Sequence, residues 1–103
     1  MRQMRIEVIG KHFEVTDAIA KYAEQKGSKL PRFYDGVQEI DVVIEQGAKG
    51  EGFRVELRVD VEKHDTFVAK SNGPDVYECI DLGVDKMSRQ LTDFKERLRN
   101  SKR

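Results

Sequence analysis

Phe53-Arg54-Val55-Glu56-Leu57-Arg58-Val59-Asp60-Val61-Glu62 alternates apolar and charged residues without a break. Successive side chains of an extended chain point to opposite faces. The pattern therefore predicts a strand with Phe53, Val55, Leu57, Val59 and Val61 toward a core and the charged residues toward water. A strand this regular, with one wet face, belongs at the centre of a sheet whose other face is covered by helices.

The flanking sequence supplies the rest. Upstream, Val37, Ile40, Val42 and Ile44 suggest a partner strand, joined by a flexible hairpin connection over Gly47-Ala48-Lys49-Gly50-Glu51-Gly52. Downstream, Thr66-Phe67-Val68-Ala69 suits a short strand, and Ser71-Asn72-Gly73-Pro74 reads as a turn into a helix with Asp75 near its start. Tyr77, Ile80, Val84, Met87, Leu91, Phe94 and Leu98 repeat at steps of three and four, which predicts one apolar stripe along a helix over 74–98. Such a stripe also suits a coiled coil, but without a second helix of that kind it favours packing on the sheet. At the amino end, Arg5 to Ile9 alternates as a strand closed by Gly10-Lys11. Thr16-Asp17 then gives an N-cap and an acidic first turn to a helix over 16–30, with Ile19, Tyr22, Ala23 and Leu30 on one face and Pro31 as its stop. The order βαβββα predicts an α+β fold: a four-stranded sheet with two helices on one face, in the manner of double-stranded-RNA-binding domains.

The 103 residues suit one hydrophobic core, so residues 1–103 are expected to form a single domain. Hydrophobic residues make up 38% and charged residues 37%, which implies a thin core beneath an ionic surface. No apolar run approaches the ~18 residues that span a bilayer, and Met1-Arg2-Gln3-Met4-Arg5 is not followed by a signal-like apolar segment, so a cytoplasmic protein is expected. Cys79 is the only cysteine, which excludes an intrachain disulfide and a zinc site built on cysteine pairs, and a buried thiol is expected. Net charge is zero, but it is unevenly spread. Residues 1–34 carry seven basic and four acidic groups, residues 35–85 five and thirteen, and residues 86–103 seven and two. Positive ends around an acidic middle hint at a polyanion site, although solvated helix faces produce the same asymmetry.

Catalytic constellations are mostly absent. His12 and His64 lack metal-ligand spacing to another His or Cys. The glycines of 47–52 lie between two strands and do not open a helix, so they are not a phosphate loop. An acylphosphatase-type hydrolase would need an anion-binding loop after the first strand, and Gly10-Lys11-His12-Phe13-Glu14-Val15 lacks a glycine-rich, arginine-bearing loop. No enzyme, cofactor, metal or small-molecule substrate is expected. The basic residues do group. On the last helix Lys86, Arg89, Asp93 and Arg97 fall within about 80° of one another, opposite the apolar stripe. Lys21, Gln25, Lys29 and Arg32 would line up similarly on the first. Two basic ridges could meet phosphates of folded RNA without reading its sequence. No aromatic residues interleave with these charges, so stacking on bases is not expected. The rival reading is a regulator whose acidic middle meets a basic protein.

Three stretches carry a resemblance over Met4 to about Arg99: Gly10-Lys11-His12-Phe13-Glu14-Val15-Thr16-Asp17-Ala18; Lys26-Gly27-Ser28-Lys29-Leu30-Pro31-Arg32-Phe33-Tyr34-Asp35; and Asp75-Val76-Tyr77-Glu78-Cys79-Ile80-Asp81 with Asp85-Lys86-Met87-Ser88-Arg89-Gln90-Leu91. In this order they resemble the ribosome hibernation promoting factor family, also called ribosome-associated inhibitor or sigma-54 modulation proteins. The resemblance implies a protein lodged in the channel of the small ribosomal subunit, overlapping the messenger and transfer RNA sites and holding the ribosome idle under stress or in stationary phase. It implies RNA contacts by Lys26, Lys29, Arg32, Lys86 and Arg89, with Lys95 as an addition. The partner would be ribosomal RNA, the free protein a monomer, and the chain the short form without the domain that pairs two ribosomes. Gly27 and Gly83 depart from the large aliphatic residue usual in the family, which suggests that the helices approach closely there. Leu82, expected on the exposed side, and Asp93, often lysine, depart as well.

Overall fold

The computed structural model describes residues 4–101. Its elements are β1 (Arg5–Lys11), α1 (Asp17–Gly27), a 3-10 turn (Leu30–Arg32), β2 (Val37–Gln46), a second 3-10 turn (Ala48–Gly50), β3 (Phe53–Val61), β4 (Phe67–Gly73) and α2 (Val76–Ser101). The α+β order is the one read from the sequence. The four strands form one sheet in the order β1-β2-β3-β4, with β1 parallel to β2 and the other pairs antiparallel.

The alternation in β3 fixes the layers. Val55, Leu57 and Val59 stand opposite Ile44, Val42 and Ile40 of β2, and all six are no more than 1% exposed. Burying each such side chain stabilises the fold by about 1.5–3 kcal/mol before conformational entropy is counted. Both helices cover this face: α1 contributes Ile19 and Ala23, and α2 contributes Cys79, Ile80, Met87 and Leu91. The opposite face, with Arg54, Glu56 and Arg58 of β3, is left to solvent.

Local chemistry sets the helix ends. Thr16 Oγ1 accepts the Ile19 amide at 3.2 Å, the N-cap read from the sequence. Asp75 Oδ1 accepts the Tyr77 amide at 2.8 Å and caps α2 in the same way. Pairing of Tyr22 with Tyr77 and of Lys26 with Asp81 shows that α1 and α2 run side by side in the same direction.

Three expectations need correction. Ser71-Asn72-Gly73 is not a turn but the end of β4, paired with β3 as far as Gly73 opposite Phe53. The polar Ser71 is tolerated in that buried position because its hydroxyl donates to the Cys79 carbonyl at the start of α2. The α1 helix stops at Gly27, and Leu30 with Pro31 belongs to a separate 3-10 turn. Pro31 thus sits second in that turn, before any amide of the turn is needed as a donor, so its missing amide costs nothing. The stripe of α2 is also rotated from the sequence reading: Val76, Cys79, Ile80, Gly83, Met87 and Leu91 are buried, while Tyr77 and Leu98 are over one-third exposed. Tyr77 leans on Tyr22, and Leu98 lies past Phe94, the last α2 ring packed against the core.

The glycines in the helices meet the sheet, not the other helix. A Cβ on Gly27 would lie 3.8 Å from Ile6 Cδ1 and 3.9 Å from Ile40 Cγ2, which is ordinary contact. On Gly83 it would lie 2.7 Å from Leu57 Cδ1, so α2 rides so close to the strands that a side chain there would have to displace the end of Leu57 within the packed core.

Candidate nucleic-acid interface

The cations on the helical side are held in two ways. Lys26, half-buried on α1, points its amine at Asp81 of α2 at 3.6 Å and at the Tyr22 ring, 5.5 Å from the centroid. Asp81 also accepts the Tyr22 hydroxyl at 2.7 Å. That bond, followed by burial, pushes the Tyr22 pKa up to about 12. On α2, Arg89 pairs with Asp85 at 3.0 Å one turn earlier. Lys86 donates to the Lys70 carbonyl at 2.8 Å, and Gln90 donates to the Val68 carbonyl at 3.0 Å. Both side chains therefore reach over the outer edge of β4. Because a carbonyl is uncharged, Lys86 keeps its full positive charge and two further donors while its position is fixed.

Lys29, Arg32 and Lys95 are different. Each is exposed and forms no ion pair among the described residues. Lys29 and Arg32 flank the 3-10 turn after α1, and the turn is tied down by Leu30, which is fully buried, and by the Phe33 amide bonded to the Leu30 carbonyl at 2.9 Å. Tyr34 then turns inward onto Phe94, with centroids 5.2 Å apart. Lys95 follows Phe94 directly, so the structure brings all three cations toward one end of the helical layer. The six sequence-predicted cations thus share the helical side but not one cluster. Lys86 sits at the β4 flank, and Lys26 at the seam between the helices.

Asp93 and Leu82 are exposed, as expected from the sequence. His12 is exposed beyond β1, and His64 lies in the β3–β4 connection with its ring on Phe67 and against Phe94, each centroid 4.5 Å away. Cys79 is buried, and burial pushes its thiol pKa up, the opposite of what a reactive thiol needs.

The sequence reading missed Phe33. Of the eight Phe and Tyr rings, seven meet another: Phe13 with Phe53, Tyr22 with Tyr77, and both Tyr34 and Phe67 with Phe94. Phe33 meets none among the described residues and is 38% exposed, directly after Arg32. The signal was present in the adjacency Arg32-Phe33, but two consecutive aromatics do not reveal which one turns inward.

A concavity lies elsewhere, on the outer face of the sheet: a trough of about 530 Å³ whose cations include Lys11, Arg54, Arg58 and Lys70. Glu56 pairs with both Arg58 and Lys70, and Glu45 with Arg54, so most of that charge is cancelled within the trough. Phosphate backbones are met by projecting cations and need no enclosed pocket, so the helical side suits RNA better than the trough does. Farther along the same face the carboxylates of Glu7, Glu39 and Asp41 come within 4.8 Å of one another, with Arg5 on Glu7 at 3.8 Å and Arg58 opposite Asp41 in the strand register.

Comparison with known proteins agrees with this architecture. A ribosome hibernation promoting factor of Azotobacter vinelandii is 32% identical over 94 residues, covering 91% of this chain and 85% of the relative. The Escherichia coli K12 protein of the same name is 30% identical over 97 residues, covering 93% and 98%. The crystal structure of the Thermus thermophilus Protein Y N-terminal domain superimposes with a TM-score of 0.76 at 32% identity, covering 88% of this chain and 99% of that one. The profile of the family described as Sigma 54 modulation protein / S30EA ribosomal protein matches residues 6–99. With nearly the whole fold inside that match, the chain belongs to this family.

Proposed function

We propose that the protein is a ribosome hibernation factor that binds the small ribosomal subunit in the channel of the messenger and transfer RNAs and blocks translation by occupying it. The observation that carries this reading is family membership, joined to a helical face on which Lys29, Arg32 and Lys95 stand exposed without ion-pair partners among the described residues. Lys86 would add a fixed charge at the β4 flank. Lys26 and Arg89 would contribute less, because Asp81 and Asp85 already offset part of their field. Residues 1–103 would act as one ribosome-binding domain, in the cytoplasm, as a monomer and without cofactor. No catalytic step is required, since inhibition follows from occupying the site.

Among the described residues no helix is long and apolar enough to cross a membrane. The protein added to purified ribosomal subunits and run on a sucrose gradient should co-migrate with the small subunit at low salt. It should dissociate as salt rises, because phosphate contacts release counterions. Recovery only at the top of the gradient at low salt overturns the reading.

A further inference from the structure

We propose that Phe33 is a base-stacking residue: an unpaired RNA base lies on its ring while Lys29 and Arg32 hold the adjoining phosphates. The proposal rests on the ribosome reading above and adds to it a contact with bases, which the ridges of charge alone do not supply. Every other aromatic ring of the chain is engaged with a neighbouring ring, whereas Phe33 is 38% exposed and has no ring partner among the described residues. A lone exposed apolar side chain is ordinary, but this one is held by a built support. Leu30 is fully buried, Pro31 restricts the backbone, the Phe33 amide is bonded to the Leu30 carbonyl, and the next ring, Tyr34, is packed on Phe94. The ring is thus presented outward by a segment that does not have to be ordered when a partner arrives.

Charge selects the partner. Lys29 and Arg32 are exposed and unpaired among the described residues, and Asp35, the nearby carboxylate, already has an interaction of its own. An apolar protein pocket would gain little from two unpaired cations beside it. A nucleotide answers both features, with its base for the ring and its phosphates for the cations.

The test compares Phe33→Leu, Phe33→Tyr and Phe33→Trp for binding to purified small subunits across a salt series, with dimethyl sulfate probing of the bound ribosomal RNA. Phe33→Leu should bind roughly ten- to a hundredfold more weakly. Its slope of log affinity against log salt should be unchanged, because no cation is lost. Phe33→Tyr and Phe33→Trp should bind like wild type, and at least one unpaired base shielded by these three proteins should become reactive with Phe33→Leu. If Phe33→Leu binds like wild type, or if Phe33→Trp fails while its melting curve is normal, stacking is overturned, the second result indicating a fitted protein pocket. Either outcome leaves ribosome binding standing. Failure of the wild-type protein to bind at low salt overturns both readings, so the two failures are told apart by the wild-type lane.

Discussion

The two helices cover one sheet, yet they are seated differently and hold their charges differently. At Gly27, α1 leaves room for a methyl group, while at Gly83, α2 is pressed onto Leu57 with none. The cations after α1, Lys29 and Arg32, form no ion pair among the described residues. Over the sheet, those of α2 are tied to the protein, Lys86 to a strand carbonyl and Arg89 to Asp85. A closely seated helix serves as a fixed wall, and a turn with unpaired charge serves as a probe.

The largest effect should come from attacking the close seat. Gly83→Leu forces a side chain into the packed space beside Leu57 and should cost about 3 kcal/mol in urea unfolding. Gly27→Ala should stabilise by about 0.5–1 kcal/mol, since its methyl fits and alanine favours the helix. Equal effects at the two glycines would erase the contrast between the helices.

Charge reversal probes the second half of the comparison. Lys29→Glu with Arg32→Glu should weaken subunit binding by roughly a hundredfold, or about 2.7 kcal/mol, and lower the salt slope by about two, with an unchanged melting curve. Lys86→Glu with Arg89→Glu should weaken binding less and also cost about 1 kcal/mol of stability, because the bond to the Lys70 carbonyl is lost. A double reversal on α2 that leaves stability untouched would show that Lys86 is as free as Lys29.

Asp81→Asn loosens the seam between the helices. Tyr22 should then titrate near its ordinary value of 10 and no longer at about 12, as read by ultraviolet absorbance. In the wild type the raised pKa means that the Tyr22–Asp81 contribution is fully present below pH 10 and is lost as pH rises through about 12. The bond lies at the surface, so its loss should cost no more than about 1 kcal/mol near neutrality. The smallest effect is a gain: Asp93→Lys, at an exposed position, should tighten subunit binding a few-fold and steepen the salt slope by up to about one.

The sheet was legible because burial imposes a period of two on β2 and β3, and Thr16 announced its cap by residue type, whereas Asp75 was read only as an acidic residue near the start of a helix placed over 74–98 and proves to be its cap. The end of β4 was hidden because Ser71-Asn72-Gly73 has the composition of a turn. What keeps it extended is pairing with β3 as far as Gly73, and Ser71 can be buried there because its hydroxyl donates to a helix carbonyl eight residues away; both are tertiary contacts. The site was legible as a set of cations and illegible as a distribution of charge. That Lys26 faces Asp81 depends on how the helices lie together, and that Lys86 reaches Lys70 depends on the close seat of α2. Phe33 stayed unread for a related reason: only the packing of Tyr34 on Phe94 decides which of two adjacent rings is left outside.

The reach of Lys86 and Gln90 over β4 also determines how copies of this protein can join. Two outward carbonyls of that strand are already bonded, so part of the β4 edge is capped, and β1 is the sheet's other end. In the language of polymer chemistry, β4 is a partly protected end. A copy arriving there would have to displace Lys86 and Gln90 before adding a strand, which works against growth into a fibre.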